Sequence, residues 1–125
     1  MDSLETHTQR LKALSDPLRL RMALLLRQAG ELCVCDLVTI LERQQSTVSR
    51  QLANLKSVGW VASRRDGVWM HYRLVLEKEA PEGRLLEAVA ELTSKSRIIQ
   101  QDRFKLEQLE PACNVTLRCG GSSDT

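Results

Sequence analysis

An Asp-Gly pair at residues 66 and 67 separates two runs of alternating character, WVASRR and VWMHYRL, and this narrows the fold more than any other feature of the chain. Asp-Gly between such runs is the strongest short-range hairpin signal. The spacing predicts a β-hairpin, with Val68, Met70, Tyr72 and Leu74 on one face of the return strand. Directly before it lies QQSTVSRQLANLKSVGW. At about 100° per residue, Val48, Leu52, Leu55 and Val58 fall on one side of a helix. Ser46, Ser49, Arg50, Ala53, Asn54 and Ser57 fall on the other. One face packs; the other is small, polar and basic. A helix with that outer face can enter a major groove, where small residues permit close approach and Arg or Asn can pair with base edges. An ordinary solvated face would carry the same residues.

What precedes this helix completes the pattern. Ser15-Asp16-Pro17 ends one helix and starts another, because Ser or Asp caps orphan amides and Pro tolerates the first helical position. The second helix, about Pro17 to Gln28, places Leu18, Met22, Leu25 and Leu26 at helical spacing and ends at Gly30. Cys33, Leu37, Ile40 and Leu41 predict a third, shorter helix, and Gln44-Gln45-Ser46 a turn into the fourth. Helix, turn, helix and a basic hairpin together make a winged helix-turn-helix, mostly α with a small β-hairpin. Between Arg43 and Arg73 stand six basic side chains against Asp66 alone, a surplus of five in a chain whose net charge is +2. Positive charge is therefore concentrated on the part that would face phosphate, which points to double-stranded DNA as a partner.

A chain of 125 residues has room for one small domain and a tail, and small domains bury a lower fraction of their surface than large ones. A last helix, from about Pro81 toward Leu109, carries Leu85, Leu86, Val89, Leu92 and Ile99 with too little remaining chain to cover them. A second copy would cover this stripe with help from Leu4 and Leu11 of the first helix, although packing within one subunit is the competing explanation. Leu4, Leu11, Leu85, Val89 and Leu92 are the candidate dimer contacts. Residues 1–110 form the expected domain, and ACNVTLRCGGSSDT lies in an expected flexible tail over 111–125.

ELCVCDL, residues 31 to 37, resists an ordinary reading, because it sets two thiols one residue apart ahead of a short helix. No apolar run is long enough to cross a bilayer, and MDSLETHTQR lacks the basic-then-apolar pattern of a secretory signal. The expected location is cytoplasmic. Thiols stay reduced there, so four cysteines suggest metal binding or thiol chemistry before disulfides. Thiolates suit soft or borderline ions, and a helix N-terminus favours the thiolate. In a regular helix residues two apart point about 200° from each other, so a single ion held by Cys33 and Cys35 would require local unwinding. A lone Cys can also be a small buried hydrophobe. His7 and His71 fit surface or packing positions, and Trp60, Trp69 and Tyr72 fit hairpin packing. No Gly-rich phosphate loop, His–Cys pair or carboxylate cluster supports an enzyme.

ELCVCDL, the segment QQSTVSRQLANLKSVGWV and the wing RRDGVWMHYRL together resemble the ArsR/SmtB metalloregulatory repressors, the arsenic-responsive branch in particular. The resemblance runs from about Leu11 to Leu74 and more loosely through the last helix. It implies a dimeric winged-helix repressor that leaves its operator when a thiophilic ion binds, with no constitutive cofactor and with As(III) or Sb(III) as inducer. Cys33 and Cys35 are then the candidate ion ligands. Gln45, Ser46, Thr47, Ser49, Arg50, Asn54, Arg64 and Arg65 are the candidate DNA contacts. Arsenic-responsive members often carry a third cysteine three residues after the second, where this chain has Val38. Cys113 or Cys119 of the tail is the candidate replacement. Zinc-sensing members place His and carboxylates on the last helix, and residues 81 to 110 contain no His. Cadmium or lead sensors resemble chains with further N-terminal cysteines, and none precedes Cys33. A thiol-redox repressor would use the same two sulfurs without an ion.

Overall fold

The computed structural model describes residues 3–76 and 79–109. Along the chain run α1 (Leu4–Leu14), α2 (Pro17–Ala29), β1 (Glu31–Cys33), α3 (Val34–Leu41), α4 (Gln45–Ser57), β2 (Val61–Asp66), β3 (Trp69–Leu74), α5 (Pro81–Leu92) and α6 (Arg97–Gln108). The entry to α2 follows the sequence signal closely. Asp16 accepts a hydrogen bond from the Arg19 backbone N–H at 3.1 Å, and Pro17 occupies the first helical position.

The core gathers around α2. Met22, Leu25 and Leu26 meet Leu37, Ile40 and Leu41 of α3 and Val48, Leu52 and Leu55 of α4, all buried. Burying one such side chain is worth roughly 1.5–3 kcal/mol, so this seam fixes how α3 and α4 cross. Arg19 adds a polar tie, donating to the Ala13 carbonyl and to Gln51 Oε1, each at 2.8 Å. Trp60, 1% exposed, closes the end of the seam. Its indole N–H donates to the Arg10 carbonyl, and the Arg10 guanidinium lies 5.1 Å from the ring centre.

The hairpin forms as expected, with Asp66 opposite Trp69 and a two-residue loop of Gly67 and Val68. Gly67 has φ 66° and Val68 does not share the positive φ, the arrangement of a turn with Gly at its first position. Val68 is therefore at the exposed tip of the wing and outside the strand. The hairpin is joined by a third strand that helical spacing concealed. Glu31, Leu32 and Cys33 pair antiparallel with Arg73, Tyr72 and His71, giving the order β1-β3-β2. Cys33 thus belongs to a strand, not to the third helix.

Two helices replace the single last helix. At the break, the Thr93 hydroxyl donates to the Val89 carbonyl at 2.9 Å, a back-bond that competes with helical geometry, and α6 restarts after Ser96. α6 then folds back onto α2 and α3. Arg21 and Asp102, both buried, form a bidentate pair at 2.8 and 3.0 Å between α2 and α6. Lys105 donates to the Ile40 carbonyl at 3.2 Å and to Glu42 at 2.6 Å, which ties α6 to the C-terminus of α3. Lys105 also holds the Glu42 carboxyl below the usual carboxylate range.

This doubling-back accounts for part of the apolar stripe. Leu86 is a core residue and Ile99 packs against the core, so neither belongs to an outer face. Leu4, Leu11, Leu85 and Leu92 stay exposed and Val89 is half-buried. Leu11 and Leu85 border one groove with Trp60 and Pro81, and Arg10 bridges α1 and α5 by an ion pair to Glu82 at 3.1 Å.

Asp102→Ala strands a buried guanidinium and should lower stability by about 3–5 kcal/mol, read as a drop in urea midpoint. Replacing both partners, Arg21→Met with Asp102→Leu, should recover most of that loss.

Candidate metal centre and nucleic-acid interface

Backbone state decides what the two thiols can do. Cys33 is extended, with φ −85° and ψ 162°, and caps α3, whose first turn carries Cys35. The angular argument for a regular helix does not apply across this junction. The sulfurs converge without any unwinding, and they are joined here as a disulfide with the Cα atoms 5.4 Å apart. Asp36 lies beside them, accepting from the Cys33 backbone N–H at 3.4 Å. Ligand atoms of Cys33, Cys35 and Asp36 all lie within 4.8 Å of one another. Once reduced, two soft sulfurs and a hard carboxylate would face one point at a helix N-terminus, where negative ligands are favoured.

The site adjoins α4. Cys33 is 1% exposed, whereas Cys35 is half-buried and borders a cleft of about 170 Å³. Gln45 and Ser49 of α4 form one wall of that cleft, and Val68, Trp69 and Met70 of the wing form another. Val38, where the resemblance leads one to expect a third sulfur, packs against the core. Cys113 and Cys119 lie outside the described residues.

α4 bears out the two-faced reading. Val48, Leu52 and Leu55 are fully buried, while Gln45, Ser46, Arg50, Ala53, Asn54, Lys56 and Ser57 are exposed and Thr47 and Ser49 half-buried. Lys56 Nζ donates to Ser63 Oγ at 2.8 Å, linking the helix to the wing. Arg64 and Arg65 are both exposed. Side chains alternate along a strand, so the two leave opposite faces of the wing.

Arg64 reaches over β3 and grips Glu31 on β1 through two hydrogen bonds, at 2.9 and 2.8 Å. The Arg64 guanidinium holds the Glu31 carboxyl below the usual carboxylate range, so the pair stays ionised at neutral pH. His71, opposite both Cys33 and Arg64 in register, is fully buried, as the packing reading of this residue requires. Sequence reasoning passed over Asp36 and Glu31, although a carboxylate three residues after a helix cap is the spacing of a capping box.

Residues 16–63 match the model of the bacterial regulatory proteins of the arsR family. The chain is 50% identical over 66 residues to the arsenical resistance operon repressor of Escherichia coli, which covers 53% of this chain and 56% of that one. The arsenic resistance transcriptional regulator ArsR2 of Pseudomonas putida is 40% identical over 99 residues, 79% of this chain and 84% of that protein. The chain belongs to the ArsR family. As a member, it is a DNA-binding transcriptional regulator and not an enzyme. Its fold matches the homodimeric winged helix-turn-helix DNA-binding domain of a Mycobacterium bovis protein, with a TM-score of 0.61 at 33% identity over 74% of this chain and 87% of that one. A cadmium resistance regulatory protein homologue of Staphylococcus aureus is 43% identical over 63 residues, 50% of this chain and 52% of its own. The matched stretch thus spans about half the length of the Escherichia coli and Staphylococcus aureus relatives.

The difference in exposure between the two thiols has a direct readout. In the reduced ArsR-family protein, brief treatment with iodoacetamide should label Cys35 before Cys33, and mass spectrometry of the peptide that carries both would place the label. First labelling at Cys33 would contradict this packing.

Proposed function

We propose that this protein is a homodimeric repressor that leaves its operator when reduced Cys33 and Cys35 bind arsenite or antimonite. The observation that carries the reading is the convergence of both sulfurs at the head of α3, beside a cleft walled by α4 and the wing. Thiolates prefer soft ions, and relatives named for arsenic resistance match across this stretch. Such an ion needs the two sulfurs drawn toward it, and Asp36, which caps α3 through the Cys33 N–H, moves with them. α3 and α4 share one buried seam. Reorienting the first turn of α3 therefore shifts α4 in the groove. Release follows only if the ion binds the shifted shape more tightly than the DNA-bound one, and bonds to paired thiolates provide that difference. No unwinding of α3 is required.

Two-fold symmetry through Leu4, Leu11, Leu85, Val89 and Leu92 would present two α4 helices to half-sites about one helical turn apart. Tail residues Cys113 and Cys119 are the candidates for a third thiolate, Cys113 first because it is nearer α6 in sequence. A tethered thiol can reach an effective concentration in the millimolar range. The disulfide favours a second reading, in which oxidation itself changes operator affinity. Operator release driven by oxidant in the presence of chelator would select that reading. Release by Cd(II) or Pb(II) at lower concentration than by As(III) would select a cadmium- or lead-responsive protein.

Cys33→Ser and Cys35→Ser should each keep DNA binding and lose release by As(III), measured by fluorescence anisotropy under reducing conditions. Equal arsenite sensitivity in parent and variants would make the pair structural. Arg50→Ala should weaken operator binding by roughly 1–3 kcal/mol and alter base preference, while Arg65→Ala should weaken all sequences alike. Truncation after Leu109 should raise the arsenite needed for release and leave operator affinity unchanged.

A further inference from the structure

Arg64 is a wing cation whose fork is already filled. Its two bonds to Glu31 use the planar bidentate geometry that a guanidinium also offers to phosphate. The pair is open to solvent, with side-chain exposures of 49% for Arg64 and 28% for Glu31, so a phosphate can approach the same fork. Exposed ion pairs are weak, worth at most about a fivefold preference for the closed form, so a DNA backbone held nearby by other contacts can displace the carboxylate. Glu31 carries this competition from an informative place. It opens β1, two residues before Cys33, and β1 is hydrogen-bonded to β3, over which Arg64 must reach.

We propose that Glu31 is an internal stand-in for DNA phosphate, a positioning residue that holds Arg64 off the backbone and sets how tightly the wing grips duplex DNA. In free protein the Arg64 fork rests on Glu31; in the DNA complex it passes to a phosphate and the carboxylate is released to water. The exchange breaks and forms only hydrogen bonds and ion pairs. Because Glu31 and Cys33 belong to one short strand, displacement of β1 at the thiol site alters the reach of Arg64 to its internal partner. The wing is thus coupled to the sensor by a route separate from the α3–α4 seam. This inference rests on the wing meeting the DNA backbone.

The test uses a fluorescein-labelled random-sequence duplex, because phosphate contacts carry no sequence information, and a salt series on the full chain. Glu31→Gln should bind about two- to fivefold tighter than the parent at low salt, with the gain fading as salt rises, and Glu31→Ala should behave alike. Arg64→Gln should bind more weakly than the parent, and adding Glu31→Gln to it should bring no further gain. Unchanged affinity in both Glu31 variants overturns the inference while the DNA-binding reading stands. So does an equal gain from Glu31→Gln with and without Arg64, since Glu31 would then act only as a repelling charge. A parent that binds no duplex at all would instead overturn the interface reading, and this inference with it.

Discussion

Leucine-rich packing between α2, α3 and α4 is the constraint under which everything else in this molecule operates. Leu37, Ile40, Leu52 and Leu55 have no exposure at all, and interiors of that density do not deform continuously. The polar outer face of α4 and the thiols at the head of α3 are consequences of which faces that seam leaves over. A displacement at one helix cannot be absorbed inside the seam, because voids and overlaps both cost more than a small rigid movement. The head of α3, with its two thiols, and the outer face of α4 are therefore mechanically joined through the apolar contacts of the seam.

Much of this was legible in the residues. Asp66-Gly67 placed the hairpin, Asp16-Pro17 placed the start of α2, and the periodicity of Val48, Leu52 and Leu55 separated the buried from the exposed face of α4. The elements that escaped were those too short or too distant for local patterns. β1 is three residues long, and Leu32 and Cys33 merge with the helical spacing that follows; its partners are about forty residues downstream. Its recovery changed the chemistry, because an extended Cys33 brings the sulfurs together where a helical one would have parted them. The break after Thr93 was hidden for a related reason. A run of Thr, Ser and Lys reads as a solvated helical face until the packing of α6 against α2 makes the reversal favourable.

The buried Arg21–Asp102 pair shows what that reversal secures. An isolated buried charge is strongly disfavoured, and a fork-to-carboxylate match tolerates little rotation, so the pair sets the placement of α6 more narrowly than apolar contacts alone would. It adds little to stability relative to a well-packed apolar alternative. Its value lies in register. With α6 held in place, Lys105 is held at the Ile40 carbonyl near the end of α3 and beside Glu42, whose backbone is left-handed at φ 55°.

That clasp makes α3 a lever with a fixed end. The helix has eight residues, a length of about 12 Å at the usual rise. Its C-terminus is pinned by α6 and its N-terminus carries the thiols. Movement at Cys33 and Cys35 can then enter only as rotation about the Lys105 end, and a shift of about 1 Å at the thiols corresponds to a tilt of about 5° for a rod of that length. Longer helices would dilute the same displacement into a smaller angle. An eight-residue helix pinned at its far end converts a bond-length event into an angular one, which the shared apolar seam hands on to α4 as a change of crossing angle.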